Sequence, residues 1–132
     1  MHASKAQIEQ VGRLKKRSDF LRVQKTGSKW VAKGMIVQAA PQEGADQAAG
    51  DNKAPCRFGL TVTRRLSKSA VVRNRIKRRL RAAACDILPG NARPGTDFVL
   101  IGRPETATRL YTDLKKDLKW CLGKLGYLQE ME

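Results

Sequence analysis

The chain has 132 residues, enough for one compact domain and few for two, and its 41% of hydrophobic residues supports a core and excludes a disordered basic tail. With 27 Lys and Arg against 12 Asp and Glu, the net charge of +15 works against any compact fold unless a polyanion offsets it, and nucleic acid is the commonest offset. No apolar run approaches the ~20 residues that span a bilayer, and the opening MHASKAQIEQVGRLKKR lacks the apolar centre of a signal peptide. The expected setting is therefore cytoplasmic, with no membrane partner.

One domain over 1–132 is expected, with residues 1–12 as a flexible lead-in. SDFLRVQKTG reads as a short helix, with Ser18 or Asp19 as its cap and Gly27 as its stop. KWVAKGMIVQAA is rich in β-formers and predicts one strand over about 30–39, with Gly34 as a bulge. Residues 41–55 have almost no apolar bulk and form a long, slightly acidic surface loop. CRFGLTVTRR alternates Phe58, Leu60 and Val62 against Gly59, Thr61 and Thr63, the period of a half-buried strand.

A helix follows over 70–87, capped by Ser67 or Ser69 and stopped by Pro89 and Gly90. DFVLIG is a continuous apolar run, as in a strand buried on both faces. Leu110, Leu114, Leu118, Cys121, Leu122 and Leu125 then mark an amphipathic last helix. Its Asp113 and Asp117, beside Lys116 and Lys119, read as an ordinary solvated face. The order α-β-β-α-β-α gives the α+β class: a small sheet with helices packed on it. Cys56, Cys85 and Cys121 contain no C-x-x-C pair and read as reduced, largely buried thiols.

The helix over 70–87 carries the functional signal. On a 3.6-residue wheel Val72, Ile76, Leu80, Ala83 and Ile87 share one arc of about 80°, the expected core face. Arg73, Asn74, Lys77, Arg78 and Arg81 take the other side, with Arg75 and Arg79 at the seam. A solvated helix mixes signs, because like charges at i,i+4 cost ~0.2–0.5 kcal/mol per pair. Here Arg73, Lys77 and Arg81 form a like-charge row, and residues 57–81 hold ten cations and no acid. Guanidinium forks bind phosphate oxygens bidentately and stack on bases, so this segment is expected to contact nucleic acid. Charge alone does not separate RNA from DNA.

The inventory does not support cleavage by the protein itself. His2 is the single histidine, so no two-histidine ribonuclease site can form. The carboxylates are scattered rather than clustered for metal ions, and no Gly-rich phosphate loop is present.

RFGLTVTRRLSKSAVVRNRIKRRLR resembles the signature of the protein subunit of bacterial ribonuclease P, with Arg57, Gly59, Leu60, Arg64, Arg65, Ala70, Arg73, Asn74, Arg75, Ile76, Lys77 and Arg78 in order. RLKKRSDFLRVQKTGSKW is similar to the family's opening through Leu14, Asp19, Phe20, Val23 and Gly27. The two segments cover about a third of the chain. The resemblance implies a small mixed sheet with helices on it and a left-handed βαβ crossover. It implies that a catalytic RNA subunit, with Mg²⁺ bound mainly by that RNA, removes the 5′ leader of precursor tRNA, and that the protein assists without being catalytic. It assigns Arg64, Arg65, Arg73, Asn74, Arg75, Lys77 and Arg78 to the ribonuclease P RNA, to which the neighbouring charges of Lys68 and Arg81 are added, and Phe20 to the leader, with Arg13, Lys16 and Arg17 supplying positive charge just before it. Whether the protein itself holds a metal ion is left open, and no obligate protein partner is evident. Three features depart from the pattern: Gln24 replaces a second aromatic often found four positions beyond Phe20, the turn before the basic helix lacks the usual glycine and is a residue longer, and loop 41–55 is long. Beside this reading stand a basic ribosomal or RNA-chaperone-like protein and a DNA-binding protein using the basic helix.

Overall fold

The alternating stretch around FGLT and the apolar run DFVLIG lie side by side as parallel strands, and the basic helix connects them. The structure is a computed structural model that describes residues 11–42 and 54–129. In chain order these form β1 (Gly12–Arg13), α1 (Arg17–Thr26), β2 (Ser28–Val31), β3 (Met35–Pro41), β4 (Arg57–Thr61), α2 (Ala70–Ile87), β5 (Thr96–Gly102), a 3-10 turn (Pro104–Ala107) and α3 (Tyr111–Leu125). The strands make one mixed sheet in the order β1-β4-β5-β3-β2. β4 runs parallel to β1 and β5, whereas β3 is antiparallel to β5 and β2.

Central β5 is covered from both sides, which is why its sequence shows no alternation. One face of the sheet (Met35, Val37, Phe58, Phe98 and Leu100) packs on Ile76 and Leu80 of α2 and on Leu114, Leu118 and Leu122 of α3. The other face carries a smaller cluster of Leu14, Val23, Ala40 and Val99, with Phe20 and Ile101 against it, and α1 lies there. Cys56 and Cys121 are buried in the larger core and Cys85 is half-buried, all three as free thiols.

Several expectations are corrected. α1 starts from Lys16, which has no side-chain cap bond, so neither Ser18 nor Asp19 is the cap; both sit inside the first turn. The stretch expected as one bulged strand is a hairpin of β2 and β3, in which Trp30 pairs with Val37 and the Ala32 N–H donates to the Met35 carbonyl at 2.9 Å. Long-range bonds fix its turn. Arg103 Nη1 donates to the Ala32 carbonyl at 2.7 Å, Thr106 Oγ1 to the Gly34 carbonyl at 2.5 Å, and the Gly34 N–H to Asp117 Oδ2 at 3.1 Å. Asp117 is thus no solvated residue: it also receives Arg109 Nε at 2.6 Å and Nη2 at 3.2 Å. Leu110 precedes α3 and is 69% exposed rather than core.

Val72 is also exposed, although the wheel aligns it with buried Ile76 and Leu80. A Cβ added at Gly102, the last residue of β5, would lie 2.7 Å from Ile76 Cγ2. One turn earlier in α2 there is no strand left to cover. Residues 1–10 and most of the 41–55 loop lie outside the described residues; Gly12, expected in the flexible lead-in, instead opens β1 by donating to the Cys56 carbonyl at 2.9 Å.

Candidate nucleic-acid interface

The path from β4 into α2 is held by hydroxyl groups. The Leu66 N–H donates to Thr63 Oγ1 at 3.3 Å, the Ser69 N–H to Ser67 Oγ at 3.2 Å, and the Val72 N–H to Ser69 Oγ at 3.2 Å. The last is the N-cap expected of Ser69. Positive φ values occur only at Gly90, Gly95 and Gly126 among the described residues, so this turn forms without a left-handed residue. Arg73 Nη1 donates to the Ser67 carbonyl at 2.9 Å, which folds the first arginine of the helix back over the turn.

The geometry gathers Arg64, Arg65, Lys68 and Arg73 around one concavity of about 560 Å³. Asn74, Arg75, Arg78 and Arg81 project outward from α2, and Lys77 is half-buried. None of these cations forms a salt bridge among the described residues; the arginines that do are Arg22, Arg57, Arg103 and Arg109. A row of unpaired guanidiniums is repulsive in the free protein and is relieved by phosphate. Arg79 differs from its neighbours. Its Nε donates to the Thr106 carbonyl at 2.8 Å and its Nη2 to the Arg109 carbonyl, so it ties α2 to the segment before α3.

On the opposite face Phe20 lies against Gly59. A Cβ added there would stand 2.6 Å from Phe20 Cε1, so the ring rests on bare backbone and only glycine permits it. Phe20 is half-buried, while Lys16 and Arg17 at the start of α1 are exposed beside it. Arg13 does not join them: it pairs with Phe58, and its guanidinium stands 5.2 Å from that ring's centroid on the other side of the sheet.

The sequence reading missed what holds α1 in place. Asp97 is fully buried and receives Arg57 through Nε at 2.8 Å and Nη2 at 2.7 Å, together with Arg22 from α1. Asp19 lies 3.4 Å from Arg22 and 3.8 Å from Arg57. The hydrogen bond to Asp97 raises the Arg57 pKa above its ordinary value, with the nearby carboxylate charges adding to it. The one available signal was an acid at the head of an apolar strand. No group of three or more His, Cys, Asp or Glu side chains comes together among the described residues.

The model of the family described as Ribonuclease P matches residues 8–126, which include both the unpaired basic face and the Phe20–Gly59 contact. The chain belongs to the ribonuclease P protein family. It is 47% identical over 118 residues to the ribonuclease P protein component of Paramagnetospirillum magneticum, covering 89% of this chain and 85% of the relative. Identity to the ribonuclease P protein component of Ruegeria pomeroyi is 45% over 113 residues, covering 85% and 84%. The structure of the ribonuclease P protein from Thermotoga maritima superposes with a TM-score of 0.63 at 26% identity, covering 86% of this chain and 94% of that one. The Staphylococcus aureus protein, at 22% identity, shares the fold with a TM-score of 0.66, covering 89% and 97%.

Proposed function

We propose that the chain is the protein subunit of a ribonuclease P in which the RNA subunit catalyses the cleavage. The turn and outer face of α2, through Arg64, Arg65, Lys68, Arg73, Asn74, Arg75, Lys77, Arg78 and Arg81, bind the RNA subunit. The 5′ leader of precursor tRNA lies along α1 on the opposite face, with Phe20 as its stacking platform and Lys16 and Arg17 on its phosphates. Arg13, turned toward Phe58, has at most a contact with the edge of that path. Mg²⁺ is held by RNA, in keeping with the scattered carboxylates here, and maturation of tRNA takes place in the cytoplasm. No helix among the described residues is long and apolar enough to cross a membrane.

The observation that carries this reading is the set of cations on the matched R-N-R-I-K-R segment that have no acidic partner among the described residues. A ribosomal or chaperone-like role would use the same charge but has no need of a separate aromatic platform on the other side of the sheet. Reconstitution tests it: the pure chain, a bacterial ribonuclease P RNA and precursor tRNA are combined at low Mg²⁺. Release of the leader only when protein and RNA are both present is the expected result. No stimulation over RNA alone would refute the proposal.

A further inference from the structure

A second aromatic surface lies on the side of the sheet away from Phe20. Trp30 on β2 and Trp120 on α3 are 37% and 48% exposed, and their rings meet edge to face with centroids 5.8 Å apart and planes at 78°. The Lys124 ammonium stands 6.0 Å from both centroids. Beside the pair is an open groove of about 460 Å³, lined by Lys116, Lys119, Trp120, Gly123, Lys124 and Leu128. That size falls within the roughly 300–1,000 Å³ typical of small-ligand sites. Among the described residues its lining has three cations and no carboxylate.

Beyond the contact the two rings make with each other, two features leave this surface open. Solvent-facing indoles leave apolar surface in water, and an edge-to-face pair keeps at least one broad ring face open. Gly123 weakens the helix that contains it, and a Cβ added there would meet only Leu128 Cδ2, at 3.8 Å. The glycine is therefore not required by close packing. Its effect is to leave the groove floor bare.

We propose that this groove binds an unpaired nucleotide of the RNA subunit, its base stacked on Trp120 and its phosphate held by Lys119 and Lys124. An aromatic platform flanked by three lysines suits single-stranded nucleic acid, since every base offers a π-face and every linkage a negative charge. The location selects the source. α3 packs directly on α2, on the same side of the sheet as the basic helix, whereas α1 and Phe20 occupy the other side. The site thus extends the RNA-subunit surface rather than the leader path, and it rests on the function proposed above.

The chain has two tryptophans, both in this patch, so intrinsic tryptophan fluorescence reports on it alone. The full chain is titrated with ribonuclease P RNA while fluorescence and filter binding are followed together. Saturable quenching that tracks binding is expected. Trp120→Ala should lower affinity about 5- to 100-fold, and Trp120→Phe should restore most of it. Gly123→Leu, which fills the groove with a good helix former, should lower affinity without lowering the melting temperature. RNA bound at full affinity by Trp120→Ala and Gly123→Leu, or bound by the parent with unchanged fluorescence, overturns this inference alone. A parent chain that bound no RNA would overturn the proposed function and this site together.

Discussion

Arg57 and Asp97 are register partners across parallel β4 and β5, and the guanidinium grips the buried carboxylate with both Nε and Nη2. Because Arg22 reaches the same carboxylate from α1, one side chain fastens two strands and a helix. Removing one partner of a buried ion pair costs about 3–5 kcal/mol. Asp97→Ala should fall near the low end, about 3 kcal/mol, because both guanidiniums keep partial access to water. Urea unfolding would measure it, and a loss below about 1 kcal/mol would mean that α1 is held in place without this carboxylate.

Arg78 and Arg79 are adjacent in sequence but should respond in opposite ways. Arg78 is exposed and has no salt-bridge partner among the described residues, so Arg78→Ala should weaken RNA binding and leave the melting temperature unchanged. If roughly six phosphates are neutralised by the parent, its affinity should drop by about 10³ between 50 and 200 mM salt, and the variant's slope should be shallower. Arg79→Ala removes two charge-assisted bonds to carbonyls and should cost about 2 kcal/mol of stability. Equal melting temperatures for the two variants would contradict this division.

Phe20 can be tested through its own side chain and through the glycine beneath it. Phe20→Leu keeps apolar contact with the sheet and loses the aromatic face, so binding of precursor tRNA should weaken about 5- to 100-fold while mature tRNA binds as before. Gly59→Ala should act similarly by displacing the ring. A variant that melts early and still discriminates the two tRNAs would make Phe20 a core residue only.

Burial, with a smaller contribution from Asp97, pushes the Cys56 thiol up to about 11. Burial and then Asp117 push Cys121 up to about 12. These thiols remain protonated in the fold where the unfolded chain, at the ordinary value of 9.0, has already lost its protons. Their contribution to stability is therefore complete below about pH 9 and is lost as pH rises from there to about 12. At pH 8 a thiol reagent should modify half-buried Cys85 first and the other two only on unfolding. Three equally fast thiols in the native protein would show that the core is open at those positions.

Ile76 and Val72 occupy the same arc of the helical wheel but not the same environment. Ile76→Ala should cost about 2–5 kcal/mol, whereas Val72→Ala at its exposed position should stay within about 0.5 kcal/mol. Thermal melts of the two variants separate these outcomes.

The contrast between Ile76 and Val72 shows where sequence patterns stop being informative. Helix α2 was legible to its ends because its signals are local: Ser69 caps it, Pro89 and Gly90 follow it, and apolar residues recur at helical spacing. Where the sheet beneath it ends is not a local property, so the wheel could not exclude Val72. The β2–β3 hairpin was missed because its turn has no Asn-Gly or Asp-Gly signal. Its register is fixed instead by Arg103, Thr106 and Asp117, distant in sequence. Asp97 was hidden for the same reason, with partners 40 and 75 residues away. Of the candidate site, the basic face was readable as charge without acids. The close seat of Phe20 on Gly59 was not, since it depends on how a helix meets a strand.

Strand β5 meets α1 at one end and α2 at the other: Asp97 near its start receives Arg22, and Gly102 at its end lies under Ile76. β5 is hydrogen-bonded to β3 on one side and to β4 on the other, and it would couple its two ends where a displacement at one reaches the other. A leader strand that tightened α1 would load the same seven residues that support the basic helix. By linkage, RNA bound to that helix would then tighten the leader by the same factor. The protein would act in this arrangement as a stiff beam between two RNA contacts, making the affinity of each depend on the occupancy of the other.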